Sequence, residues 1–346
     1  MRAFSYRSFG GPDTCHIVEG VPLPTPGAGQ VRVKVHAASI NPIDFKRRSG
    51  AMKMLQSETF PVIMGYDAAG TVDALGEGVT NAAVGDRVFL RTTVKSSGTL
   101  AEYCITGVDT MAPLPASVSF QDAAAVPLAG MTAQQMLRQG KFKTGDRVFV
   151  NAAAGGVGHF AIQLAKAGGA SFVAGTASAA KHSFLRQLGA DECVDYRSED
   201  YTARYADRRF DVGCDNATES DKVLKVVKEG GAVVSATQGY TMEGLKSAGM
   251  DPGFIVRTYL WFSNRSLFGA AEKLKVSFSG FFLKPARADL EELAALLVRG
   301  ALRPTVTAFD GLENAAKAME LLESGRATGK VVVNVIPLPS PLAPAA

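Results

Sequence analysis

Val150–Gly169, VNAAAGGVGHFAIQLAKAGG, is the stretch whose reading decides the fold. A stable helix asks for larger side chains, yet this segment offers almost bare backbone before its helical pattern begins. Read position by position it is Ala153, Ala154, Gly155, Gly156, Val157, Gly158, a G-x-G-x-x-G turn whose first glycine has become Ala153. The apolar run DRVFV precedes it, and Val157, Ala161, Leu164 and Gly168 then fall on one helical face, so a strand feeds the turn and a helix leaves it. In that setting Gly155 lets the backbone approach a pyrophosphate and Gly158 lets the helix lie against the strand. The helix amides and the positive dipole end would face the phosphates. A tight strand-to-helix link with no ligand is the rival reading.

Working outward, helix and strand signals alternate from about Gln121: helical FQDAAAVPLAGMTAQQMLRQG, then strands in DRVFVN, SFVAG, FDVGC and GAVVS. Such alternation builds βαβ units and a doubly wound parallel sheet. Before it, from Ala3 to about Ala112, short alternating runs are broken by Gly and Pro. In QVRVKVHAASI, for example, Val31, Val33 and Val35 face one way, as in an irregular β domain. After Gly269 come two amphipathic helices, DLEELAALLVRG and GLENAAKAMELLESG, and the strand KVVVNV; Leu312, Ala315, Met319 and Leu322 share a face that packs on a sheet. GDRVFL at Gly85 and GDRVFV at Gly145 repeat a turn feeding a strand, too short an echo for duplicated domains. The aromatic segment Phe254–Phe282, with Trp261, reads equally as core with surface loop or as subunit interface.

Composition sets the class. A chain of 346 residues, 47% hydrophobic and 20% charged, has the material for two cores. The formal charge of +4 is dispersed among acids, so nucleic acid is not an expected partner. Cys15, Cys104, Cys193 and Cys214 form no CxxC pair, which suits reduced thiols in a cytoplasmic protein. MRAFSYRSFGGPD lacks the apolar core of an export signal, and no long uncharged apolar run predicts a membrane span. PLPSPLAPAA reads as a loose tail.

Which dinucleotide binds follows from the second strand. An NAD site carries an acid on the ribose about 20 residues past the glycine turn. Here SFVAGTASAAKHSFLRQLGAD holds none until Asp191. Ser178 and Lys181 stand there instead, and Tyr196 and Arg197 follow in VDYRSED, groups able to bond and neutralise a 2′-phosphate. NADP(H) is the expected cofactor.

The chain resembles the zinc-independent NADPH:quinone oxidoreductases of the medium-chain dehydrogenase/reductase superfamily over nearly its whole length. SINPIDFKRRSG, FPVIMGYDAAGTVDALGEGV, VGDRVF, GTLAEYC, AAAVPLAGMTAQQML, NAAAGGVG, GTASAAK, LGADECVDYRSED and ESGRATGKVVV carry the likeness in the family's order. It implies an α/β protein: a GroES-like β-rich catalytic domain, residues 1–126 completed by 270–346, beside a Rossmann NADP(H)-binding domain, residues 127–269. The active site would lie in the cleft between them. Zinc-bearing relatives place a Cys at Asn41 and a His at Tyr66, and carry a four-Cys lobe that this chain lacks. His16, His36, His159 and His182 are also scattered, so no metal site is expected.

The likeness further implies that Asn41 and Asp44 of NPID form the polar active-site loop, with Tyr66 a second donor. Thr132 would lie near the nicotinamide carboxamide, and Ala154, Gly155, Gly156, Val157 and Gly158 would bind the pyrophosphate. Ser178, Lys181 and Tyr196 would meet the 2′-phosphate, while Gln238 and Arg326 approach the cofactor from late turns. An Asx turn at Asn41 and Asp44, and a Thr132 hydroxyl bonded to its own helix, are the structural alternatives. The expected reaction is metal-free hydride transfer from NADPH to a quinone or similar electron-poor carbonyl, with Asn41 bonding the acceptor oxygen and solvent supplying the proton. Related enoyl reductases, whose Tyr proton donor would fall at Met52, supply the enone alternative. An NADPH-binding crystallin-like or RNA-binding role is a third, without a basic stripe to favour it. A homodimer is expected from the likeness.

Overall fold

The computed structural model describes residues 1–54, 58–93, 98–247 and 253–336. The Pro-rich tail and the Trp261 side chain lie outside the described part. In chain order the first strands are β1 (Ala3–Tyr6), β2 (Cys15–Val18), β3 (Gln30–Ile40), β4 (Val62–Ile63), β5 (Asp67–Leu75), β6 (Arg87–Arg91), β7 (Tyr103–Gly107) and β8 (Met111–Pro113). The middle of the chain gives β9 (Arg147–Val150), β10 (Phe172–Thr176), β11 (Glu192–Val194), β12 (Phe210–Asp215), β13 (Val227–Ser235) and β14 (Ser277–Gly280). The last two are β15 (Val306–Asp310) and β16 (Lys330–Asn334).

Alternation in β3 does what the sequence asks. Val31, Val33 and Val35 are fully buried, and they join Val331 and Val333 of β16 in one core. The sheet runs β15-β16-β3-β5-β6-β8, with β7 also on β3. β16 therefore returns from the far end of the chain to lie antiparallel to β3, Val331 opposite Ile40. Leu312, Ala315 and Met319 cover this core, although the helix proper starts only at Ala315, after a single tight turn.

The second sheet runs β11-β10-β9-β12-β13-β14 with parallel pairings throughout. This is the doubly wound order whose reversal, beside the first strand, opens a crevice at the carboxyl ends of the strands. β14 belongs to this sheet, which corrects the expected boundary at 269: the parallel domain keeps its sixth strand as far as Gly280. The long helical stretch divides at Pro127 into Phe120–Ala125 and Pro127–Gln139, since a proline ring suits only a helix's first turn.

The GDRVF echo has a common cause. Gly85 and Gly145 both take positive φ, +94° and +91°, which a side chain would strain. Asp86 and Asp146 then each accept from an amide three residues earlier, at 2.8 and 2.7 Å.

Candidate active site

The glycine turn is built as a bare ledge. The left-handed residue is Ala152, φ +44°, while Ala153, in the place of the motif's first glycine, is buried against Gly175 of β10. A Cβ on Gly158 would stand 2.5 Å from the Ala152 carbonyl oxygen and 2.6 Å from Ala153 Cα, so only glycine lets the helix Gly156–Ala167 lie this close to β9. Gly155, Gly156 and Val157 remain partly open. The first amides of this helix have no carbonyl of an earlier turn to bond. These features fit a diphosphate. Beneath the ledge His159 is fully buried, its Nδ1 3.0 Å from the Gly155 carbonyl. Burial lowers its pKa to about 4, so the imidazole is neutral and braces the turn without charge.

The residues expected to meet the adenosine end lie past β10 and β11. Thr176 and Val194 are register partners, and Ser178 and Tyr196 each follow two residues later, so the two side chains leave neighbouring strands at the same level. Tyr196 is 55% exposed, with the Arg197 guanidinium 5.7 Å from its ring centre. Lys181 donates to the carbonyls of Arg326 (3.3 Å) and Ala327 (3.0 Å), which brings Ser178, Lys181 and Arg326 together at the rim. Gln238 accepts from the Ser220 amide at 3.1 Å, and Thr132 is buried within its helix. No bond from the Thr132 hydroxyl to its own helix occurs among the described residues.

The other wall begins at Asn41, which precedes the helix Pro42–Arg48. Asp44 accepts from the Asn41 amide (2.8 Å) and from the Gly65 amide (3.0 Å), closing the NPID loop as a capping turn. Burial raises Asp44 to about 7, with Asp67 nearby adding to the rise and both amides opposing it. The Asn41 side chain is already engaged: Nδ2 donates to Asp67 Oδ2 (2.9 Å), and Oδ1 accepts from Lys330 Nζ. Tyr66 accepts from Arg47 Nη1 (3.0 Å), and Arg47 is itself paired with Glu58. Burial lifts the Tyr66 phenol to about 12, so it is a hydrogen donor at neutral pH.

Lys330 joins the two walls. Its ammonium is buried 3.9 Å from Asp67, and its stem would be 3.1 Å from a Cβ on Gly156. One residue earlier the Gly329 amide donates to the Ala154 carbonyl (2.9 Å). The GRATGK turn thus touches the rim, the glycine ledge and the polar loop in succession.

Residues 27–137 match the alcohol dehydrogenase GroES-like domain and 188–333 the zinc-binding dehydrogenase model. The chain is 36% identical to 2-methylene-furan-3-one reductase of Solanum lycopersicum, across 97% of this chain and 80% of that protein. It is 35% identical to the chloroplastic NADPH-dependent alkenal/one oxidoreductase of Arabidopsis thaliana, with the same coverages of 97% and 80%. The solved quinone oxidoreductase of Coxiella burnetii superposes with a TM-score of 0.83 at 33% identity, covering 97% of this chain and 99% of that one.

The chain belongs to the quinone oxidoreductase family of the medium-chain dehydrogenase/reductases.

In this oxidoreductase the described residues hold no group of three His, Cys, Asp or Glu able to grip a metal ion. No described helix is long and apolar enough to cross a membrane. Several site residues escaped the sequence reading. Asp67, Arg91 and Lys330 are charged positions in strands, and only their burial sets them apart. Asp215 is another, fully buried at the end of β12. It accepts from Asn151 Nδ2 (2.7 Å), Ser220 Oγ (2.6 Å) and Ser235 Oγ (2.7 Å), tying together the strand ends beneath Gln238. The one available signal was FDVGCD, an acid closing an apolar parallel strand.

Proposed function

We propose that this protein transfers hydride from NADPH to an electron-poor conjugated carbonyl, a quinone or an enone, without a metal. The observation that carries the reading is the bare ledge at Gly155–Gly158 followed by Ser178, Lys181 and Tyr196 in place of a ribose-binding acid. Lys181 has a third ammonium hydrogen beyond the two carbonyls it serves, and Ser178, Tyr196 and Arg326 complete a surface for the 2′-phosphate. The dinucleotide, when bound, supplies the hydride; the chain supplies position and a dry floor. Thr132 and Gln238 border the nicotinamide end. On the facing wall the second Nδ2 hydrogen of Asn41 and the Tyr66 hydroxyl hydrogen are donors left for an acceptor oxygen, and Asp44 holds the loop that carries Asn41.

The enone reading gains from the names of the tomato and Arabidopsis relatives, an alkene-conjugated ketone reductase and an alkenal/one oxidoreductase. Met52, where the enoyl reductases place a tyrosine, offers no acidic hydrogen, so solvent would protonate the carbanionic carbon. We also propose a homodimer, because β14 is the terminal strand of the parallel sheet among the described residues and an edge strand is a template for pairing with a second copy. Calorimetry with NADPH and NADH, followed by absorbance at the reduced-nicotinamide band with a quinone and a 2-enone, tests the reading. Tight NADPH binding with oxidation by either acceptor supports it; binding of neither dinucleotide sinks it.

A further inference from the structure

Three arginines stand around Tyr66 and the NPID helix, and two of them are paired. Arg47 holds Glu58 and the Tyr66 oxygen, and Arg48 grips Glu323 with both terminal nitrogens, at 2.7 and 3.0 Å. Arg91 is the exception. Only 5% of it is exposed, its Nη1 donates to the carbonyl of its neighbour Thr92 (2.7 Å), and its buried Nε has no hydrogen-bond partner among the described residues. No carboxylate of the described residues bonds to it; Asp67, across the ladder, is occupied by Ser39 (3.1 Å), Asn41 (2.9 Å) and the Leu128 amide (3.1 Å).

The direction of the side chain follows from the ladder. Arg91 and Asp67 are direct antiparallel partners, so their side chains leave the same face of the sheet. Asp67 on that face reaches the Leu128 amide, at the start of a helix of the parallel-sheet domain, so the face is the one that borders the cleft. Arg91 lies there with its guanidinium carbon 5.2 Å from the centre of the Tyr66 ring. Desolvating a guanidinium that no carboxylate bonds carries a penalty, which an arriving anion would offset. The glycine ledge has a cation of its own, Lys330, whose stem lies beside Gly156.

We propose that Arg91 is the oxyanion-binding residue of the cleft, receiving on its free N–H groups the carbonyl oxygen of a conjugated acceptor as negative charge develops there, with the Tyr66 hydroxyl at its flank. The inference rests on the reductase reading and names the electronic demand of its substrate. Hydride adds to the β carbon of an enone, the C=C pair moves to form the C=C–O bond system of an enolate, and the former C=O pair comes to rest on oxygen. The dihydronicotinamide is thereby oxidised to the nicotinamide cation, and solvent later protonates the α carbon. For a quinone the same bookkeeping leaves a hydroquinone monoanion. A guanidinium stays charged at every working pH, so Arg91 stabilises this oxygen without giving it a proton. Asp67, Asp44, Arg47 and Lys330 are the other charged groups facing this corner, and of these five Arg91 is the one with a buried side-chain nitrogen, Nε, that has no hydrogen-bond partner among the described residues.

The probe is 4-nitrophenol, whose phenolate resembles the charged oxygen and absorbs visibly, titrated with pH in the presence of the NADP⁺-loaded protein. The bound phenol should ionise about one unit lower than free phenol, a roughly tenfold preference for the anion. Arg91→Met should abolish that shift and Arg91→Lys retain part of it, with NADPH affinity unchanged and kcat for an enone or quinone reduced roughly 100-fold in Arg91→Met. Should Arg91→Met fail to fold, Arg91→Gln, which keeps a donor and loses the charge, takes its place. An undiminished phenolate shift in the charge-free variant overturns the proposal, as does a kcat within twofold of the parent. Failure of the parent to bind NADP⁺ by calorimetry would overturn the reductase reading instead, and the phenolate titration without cofactor would still judge Arg91.

Discussion

The two walls of the cleft handle charge in opposite ways. The glycine ledge carries no ionised side chain of its own and offers amides, a helix end and space where Cβ atoms are missing. The facing floor is crowded with buried charge: Asp44, Asp67, Arg91 and Lys330, all nearly inaccessible. A ledge made of backbone costs little to leave empty, because its amides border solvent. A floor made of desolvated ions has each member's stability tied to the others. The ledge is therefore expected to fail locally and the floor to fail as a unit.

The largest effect should come from taking one ion out of the floor. Lys330→Met leaves Asp67 and the Asn41 carbonyl without their cation and should lower unfolding stability by about 3–5 kcal/mol. Urea denaturation measures it, and adding Asp67→Asn should recover part of the loss in a double-mutant cycle. Simple additivity would mean the floor is not a unit. Next comes the ledge: Gly158→Val forces atoms into the space held by the Ala152 and Ala153 backbone, at roughly 1–3 kcal/mol, and should abolish NADPH binding by calorimetry. At the rim, Lys181→Ala should reduce the preference for NADPH over NADH about tenfold and leave NADH affinity alone.

The last test is a pH slope. Asp44 titrates at about 7 in the folded chain, against an ordinary carboxylate value of 3.8. Below the ordinary value both folded and unfolded forms hold the proton. Between about pH 4 and 7 only the folded form does, so stability should decline as pH rises through that window and level off above it. Asp44→Asn should flatten the decline, as read from denaturation midpoints across the window.

The same contrast explains what could be seen in the sequence. The ledge was legible because close backbone approach demands glycine at set spacing, and the parallel sheet because buried strands leave apolar runs such as DRVFV and FDVGC. Asn41, Asp44 and Tyr66 were reached through family likeness, and the structure brings them within one polar corner. The partners of Asn41 were not legible. Lys330 lies 289 positions away, and nothing in KVVVNV marks its first residue as an interior cation. The boundary at 269 failed because β14, with few apolar residues in SFSG, gives a weak strand signal and is defined by its pairing to β13.

One consequence follows from the placement of β16 between β15 and β3. A chain emerging in order exposes the Asn41 side-chain carbonyl and Asp67 long before it produces the lysine that bonds the one and neutralises the other. Until the closing strand docks, the first-made half holds a negative well facing a missing wall, so a product terminated upstream of residue 330 should be recognised by its instability as an unfinished molecule.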